Sequence, residues 1–162
     1  MASFHTKTFS SFDDWMTPKS AWEHIDQFVP KDKTIWDCFY GDGVSGDDMR
    51  SLGWDVIHCE EDFFKHNHGD IIVSNPPYTI KKEVFTRLKE LEKPFIMICP
   101  ASMITTQYIR RLFSGCDQLQ IIIPRRRIQF NKMNEPANGR CNFDCFYYCY
   151  KMNLPQSIVW LD

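Results

Sequence analysis

Ile71-Ile72-Val73-Ser74-Asn75-Pro76-Pro77-Tyr78 is the stretch on which the fold turns. Its apolar opening, Ile71-Ile72-Val73, reads as a buried strand. The two prolines cannot continue a sheet, because each lacks the N–H and has its φ fixed. The chain must therefore leave the sheet at Asn75. What remains is a rigid loop that holds one amide side chain, one free backbone carbonyl and one aromatic ring. Those groups suit a planar amino group that has to be gripped and stacked. The plain alternative is an ordinary strand-ending turn, and the segments on either side argue against it.

Upstream, Thr34-Ile35-Trp36-Asp37 reads as a first strand, Cys38 to Gly43 as a glycine-containing turn, and Val44 to Leu52 as a short helix ended by Gly53. Trp54 to His58 reads as a second strand. Downstream, Ile80, Val84, Phe85, Leu88 and Leu91 recur at helical spacing, and Pro94 closes that segment. Phe95 to Cys99 is a continuous apolar strand, Ser102 to Phe113 a helix, Leu119 to Ile123 a strand, and Phe143 to Tyr150 a last strand reached through a long polar loop. Strands alternating with helices imply an α/β fold, a mostly parallel sheet covered by helices on both faces. The last two strands have no helix between them, so they are expected to pair antiparallel.

The chain has 162 residues, which fits a single domain over 1–162, and 43% hydrophobic content is enough for a core. No apolar run approaches the roughly 20 residues of a membrane span. Met1-Ala2-Ser3-Phe4-His5 carries no secretory pattern, and the seven cysteines lack any Cys-x-x-Cys. Reduced thiols in an intracellular protein are the expectation. Cys141, Cys145 and Cys149 would share one face of a strand, a spacing that does not converge three ligands on an ion, and His66 and His68 lie in a polar loop. No metal site is expected. Net charge is −2, so the chain is no uniformly basic coat, yet Arg125-Arg126-Arg127 follows a strand with Lys132 and Arg140 close in sequence. A local patch of that kind is what backbone phosphates require, although a solvated charged face is the bland reading.

In a doubly wound sheet ligands bind beyond the carboxyl ends of the strands. Three segments fall there. Asp37-Cys38-Phe39-Tyr40-Gly41-Asp42-Gly43 offers two glycines for a tight turn and close backbone approach, with Asp37 placed to meet an amine or a hydroxyl. Gly46 completes a G-x-G-x-x-G only by coincidence of spacing, a weak signal. Cys59-Glu60-Glu61-Asp62-Phe63 places an acidic residue where ribose hydroxyls would be held; Glu60 is the choice, Glu61 its competitor, and a solvated acidic turn the alternative. The third segment is Asn75 to Tyr78.

Together these segments resemble the S-adenosylmethionine-dependent amino-methyltransferases, most closely the DNA N6-adenine methyltransferases of minimal, phage- or virus-like type. The resemblance implies a Rossmann-like class I methyltransferase fold and S-adenosyl-L-methionine as cofactor. It places Asp37, Phe39, Gly41 and Gly43 at the cofactor's methionine end, Glu60 at its ribose, and Asp62 with Phe63 over its adenine. Trp15-Met16-Thr17-Pro18-Lys19 resembles an element that puts Thr17 and Pro18 near the cofactor carboxylate. Asn75, Pro76, Pro77 and Tyr78 match the family's catalytic loop residue for residue, and Arg127-Ile128-Gln129-Phe130 resembles a segment after the sixth strand. Two departures stand out. No separate target-recognition domain is expected within these 162 residues. The stretch from Glu61 to Gly69 is also too short for the usual helix and third strand, since about nine residues span at most ~30 Å. An edge strand is therefore expected to be missing.

The implied reaction is methyl transfer to the N6 amine of adenine in nucleic acid, DNA favoured over RNA, with a homodimer or a specificity-giving subunit as further partners. Guanine N2, protein glutamine and a non-catalytic scaffold are the rival readings. A dinucleotide oxidoreductase would use the same sheet but leave Asn75 to Tyr78 without a task.

Overall fold

The computed structural model describes residues 15–132 and 143–162. In chain order the elements are β1 Trp15–Met16, α1 Lys19–Glu23, β2 Thr34–Trp36, α2 Val44–Ser51, β3 Asp55–Ile57, β4 Ile71–Ser74, α3 Lys81–Leu91, β5 Phe95–Pro100, α4 Gln107–Phe113, β6 Leu119–Ile123, β7 Asn131–Lys132, β8 Cys145–Tyr150 and β9 Ile158–Trp160. Seven strands form one sheet in the order β3-β2-β4-β5-β8-β6-β9. Only β8 runs against its neighbours; the pairs β2/β3, β2/β4, β4/β5 and β6/β9 are parallel. This is a Rossmann-like sheet with an antiparallel strand near the C-terminus, as expected. The antiparallel pairing of β6 with β8 also holds, and β8 inserts between β5 and β6.

Alternation along the strands divides the core in two. Ile71 and Val73 of β4 pack with Ala21 and Trp22 of α1 and Met49 of α2, whereas Ile72 packs with Val84, Phe85 and Leu88 of α3 and Ile109 and Phe113 of α4. Successive side chains of a strand point to opposite faces, so a run such as Ile71-Ile72-Val73 must be apolar throughout when both faces are covered. In β8 the same alternation sends Tyr147 toward α1, where its hydroxyl donates to the Ala21 carbonyl at 2.6 Å, and Tyr148 to the other side, where it donates to the Pro100 carbonyl at 2.8 Å.

Several elements depart from the sequence reading. β3 is an edge of the sheet, and residues 58–70 hold only the short 3-10 turn Phe63–Lys65, so the third strand is indeed absent on that side. The opposite edge is β9, which has no counterpart in the sequence reading. The helix expected over Ser102 to Phe113 is a 3-10 turn, Ala101–Thr105, followed by α4. β1 and β7 form a separate two-stranded ribbon with Trp15 opposite Lys132. At the end of α3, Glu92 adopts a left-handed φ of 53° in a place where glycine is usual. Its carboxylate is held there by Lys89, the Tyr150 hydroxyl and Lys151, which bring its pKa down to about 2. No helix among the described residues is long and apolar enough to cross a membrane.

Gly46 carries more than coincidence of spacing. It is buried on α2 against His58, at the end of β3, and a Cβ there would come within 2.7 Å of the His58 Cβ and collide with its ring. This is the close helix-to-strand packing that the third glycine of such turns permits. Gly46→Ala should therefore destabilise the fold by about 1–3 kcal/mol, as overpacking does, despite alanine's better helix propensity. Urea denaturation measures it; an unchanged or raised midpoint would mean that α2 does not rest on His58.

Candidate active site at the carboxyl ends of the strands

The strand order reverses between β2 and β4, where the connection from β2 leaves toward β3 and the one from β4 leaves the other way toward β5. Asp37 follows β2 there and is 1% exposed; Ser74 ends β4 and is wholly buried. The two are bonded directly, Ser74 Oγ donating to Asp37 Oδ1 at 2.6 Å. Ser45 of α2 donates to Asp37 Oδ2, also at 2.6 Å. His58 Nε2 lies 3.3 Å from Asp37 Oδ2 and 3.3 Å from the Phe39 carbonyl. Burial pushes the Asp37 carboxyl above its ordinary value, opposed by His58, the two serine hydroxyls and the backbone at Phe39. The hydroxyls that meet Asp37 belong to its own chain. His58, Ser45 and Ser74 were missed by the sequence reading. A serine at the end of an otherwise apolar strand was the available signal, since a buried hydroxyl requires a partner.

The turn after Asp37 is a cradle of close contacts. Gly41 and Gly43 have φ of 61° and 86°, a region that other residues rarely adopt. A Cβ on Gly43 would lie 2.7 Å from the Tyr40 hydroxyl, and one on Gly41 would lie 3.2 Å from Met16 Sδ. Tyr40 stacks on His58 with ring centroids 4.8 Å apart. Phe39 and Phe63 are both buried, their centroids 5.0 Å apart, with Phe63 also against Trp36. These two phenylalanines form the floor under the turn and present no open face.

After β3, Glu60 is exposed, whereas Glu61 pairs with His68 Nε2 at 2.9 Å. Asp62 is 6% exposed. Its Oδ1 accepts from the Phe64 N–H at 2.9 Å, and its Oδ2 is buried with no partner.

The loop after β4 holds another buried acceptor without a partner. Asn75 Nδ2 donates to Thr17 Oγ1 at 2.9 Å, while Asn75 Oδ1 is buried and has no partner. Pro76 and Pro77 are buried, and the Pro77 carbonyl accepts from the Ile80 N–H at 3.3 Å. Tyr78 is half-buried. Phe143 meets its ring edge-on at 5.9 Å, Cys145 Sγ lies 3.6 Å from its hydroxyl, and Lys81 Nζ lies 5.8 Å from its ring centroid. Phe143 stacks on Phe130 and meets Trp15 edge-on, so rings from four segments gather at this edge. Pro18 leads into α1, its carbonyl accepting from the Ala21 N–H at 3.0 Å.

β6 runs parallel to β5, so the loop that follows it opens on the same edge as Asn75. Arg125, Arg126 and Arg127 are all exposed there. Arg127 is engaged with Asp144 through two bonds, Nε to Oδ1 at 3.0 Å and a terminal nitrogen to Oδ2 at 3.1 Å. Lys132 lies in β7, and Arg140 and Cys141 lie outside the described residues. Among the described residues no three His, Cys, Asp or Glu side chains gather to hold a metal ion.

No family model matches the chain, and no curated protein matches it in sequence. Among solved structures it is similar to a Listeria monocytogenes protein provisionally assigned as a class I S-adenosylmethionine-dependent methyltransferase. That likeness has 13% identity and a TM-score of 0.47, over 95% of this chain and 67% of the other. At that level it carries no weight for activity, and the strand order and side-chain geometry stand on their own.

The raised Asp37 carboxyl has a consequence for stability. The folded chain holds that proton more tightly than the unfolded chain, whose carboxyl titrates near the ordinary 3.8. Stability contributed by this group therefore falls as pH rises through 3.8 and on to the folded value. Asp37→Asn lacks this titration, so its stability should gain on that of the wild type as pH rises above 3.8. Urea midpoints across that range test it, and a gap that stays constant or moves the other way would contradict the burial argument.

Proposed function

We propose that this chain is an S-adenosylmethionine-dependent methyltransferase that methylates the N6 amine of adenine in DNA. The observation that carries the reading is the Asn75 carboxamide at the switch point, its amide nitrogen tied back to Thr17 and its oxygen buried without a partner. A buried acceptor without a donor is costly, about 1–3 kcal/mol, and in a native structure such an atom calls for an explanation. An amino group entering the site would satisfy it.

The residues present suit the cofactor. Gly41 and Gly43 let the turn fold tightly against Met16 and Tyr40, and a turn without side chains at these two positions suits close approach of a ligand to the backbone. Glu60 stands at the end of β3 for ribose hydroxyls, and the unpaired Asp62 Oδ2 is a second buried acceptor beside the turn. Phe39 and Phe63 support the site from below, and Asp37 braces it from within. When bound, S-adenosylmethionine would supply an electrophilic methyl group with a neutral thioether as leaving group, and the methylated amine would release one proton to solvent.

The chain's own residues have then to make a poor nucleophile attack. The lone pair of an adenine amine is delocalised into the ring. Asn75 Oδ1 and the Pro76 carbonyl accept its two N–H bonds, which frees the lone pair and stabilises positive charge as it develops on nitrogen. The two prolines hold both acceptors rigidly, so much of the rate comes from positioning. Tyr78 stacks on the base, an interaction of roughly 1–3 kcal/mol, and in a duplex the base must first leave its stack. Arg125 and Arg126 offer charge to backbone phosphates on the same edge.

Asn75→Ala should lower methyl transfer by about a hundredfold or more, the scale for removing one such electrostatic stabiliser, while S-adenosylhomocysteine still binds with nearly wild-type affinity. Calorimetry and transfer of a labelled methyl group measure the two separately; normal turnover in the variant would sink the proposal. Neutralising Arg125 and Arg126 together should flatten the slope of log affinity against log salt by about 2, roughly 0.9 for each phosphate that is no longer neutralised. Arg127→Ala should leave the slope nearly intact, because that guanidinium is committed to Asp144. An equal change from Arg127→Ala would reverse the assignment.

A further inference from the structure

We infer that Thr17 is a positioning residue for Asn75, tethering its amide nitrogen so that the oxygen is left for the substrate; the inference rests on the reading of Asn75 as the acceptor of the substrate amine. The rotation that exchanges Nδ2 and Oδ1 is soft for an asparagine, because its last torsion has broad, nearly two-fold wells. With Nδ2 turned inward, two N–H donors would face each other and the amine could not be held. Thr17 Oγ1 accepts from Nδ2 at 2.9 Å, which leaves Oδ1 as the end without a partner. The two residues stand 58 positions apart, so this contact is made by the fold and not by the loop itself.

Thr17 is in turn held on three sides. Trp15 and Met16, immediately before it, pair with Lys132 and Asn131 of β7, at the end of the arginine-bearing loop. Met16 Sδ packs against the turn at Gly41. Pro18, immediately after it, opens α1 with an extended backbone and a carbonyl bonded to Ala21. The strap 15–18 thus joins the basic loop, the glycine turn and the catalytic amide, and Thr17 is its point of contact with Asn75. The resemblance implied a cofactor contact for Thr17; the geometry points to the amide.

Thr17→Val keeps the shape and removes the acceptor, and Thr17→Ser keeps the acceptor. In the full chain Thr17→Val should lower kcat by between about ten- and a hundredfold, with S-adenosylhomocysteine affinity within about twofold of wild type. Thr17→Ser should restore most of the rate. Thr17→Ala serves in place of Val if the branched side chain is not tolerated. The decisive arm is a double-mutant cycle with Asn75→Asp, whose carboxylate presents an acceptor whichever way it turns. In that background Thr17→Val should cost little. Three results would overturn the inference: full kcat in Thr17→Val, S-adenosylhomocysteine binding weakened tenfold or more with kcat at saturation unchanged, or an equal loss in both backgrounds. A wild-type chain that binds S-adenosylhomocysteine but transfers no methyl group would overturn instead the reading of Asn75 on which it rests.

Discussion

The site depends on one buried carboxylate. Asp37 is cut off from water at the point where β2 and β4 part, and a carboxylate in that position must be met by donors from within the chain. Its partners come from three other elements: Ser74 from β4, Ser45 from α2 and His58 from the end of β3. These contacts tie the carboxyl ends of β3 and β4 and the amino end of α2 to the same two oxygen atoms. The ends of β2, β3 and β4 are thereby fixed relative to one another, and Asn75 is the residue next to Ser74. His58 passes the constraint outward, since it also meets the Phe39 carbonyl, stacks under Tyr40 and rests on Gly46.

A second set of contacts reaches the loop from Asn75 to Tyr78 from the far side. The strap at residues 15–18 pairs with β7, touches the glycine turn and bonds to Asn75. Phe143 joins Trp15, Tyr78 and Phe130, so the ring that would stack on a base is itself supported by rings from other segments. The two prolines remove local freedom and these long-range contacts remove the rest. A loop fixed in this way has little ordering left to do when a substrate arrives, which is the condition for positioning to contribute to rate.

The parts of this arrangement that are legible in the sequence are those set by local chemistry. The run Ile71 to Ser74 followed by two prolines marks a strand that ends abruptly, and the doubly buried strands read as unbroken apolar runs. The spacing of Val84, Phe85 and Leu88 marks the buried face of α3. What is not legible is set by pairing at a distance. β1 and β7 have two residues each and β9 has three, too few to show a period, and they exist because a partner strand accepts them. Likewise the Asp37 network joins residues 8, 21 and 37 positions away, and nothing local marks His58 as a bracket or Phe63 as part of the floor. Arg127 shows the same limit in reverse. Its place in a run of three arginines suggests a phosphate contact, and only the fold reveals that Asp144 holds it.

The most direct measurement is the identity of the methylated product. The chain would be incubated with labelled S-adenosylmethionine and separately with single-stranded DNA, duplex DNA, RNA and a mixture of proteins, and the acceptors digested and resolved by mass. The account predicts label in N6-methyldeoxyadenosine. Label in N6-methyladenosine from RNA alone would keep the chemistry and change the polymer. Label on guanine or on a protein side chain, or none at all with the cofactor bound, would contradict it.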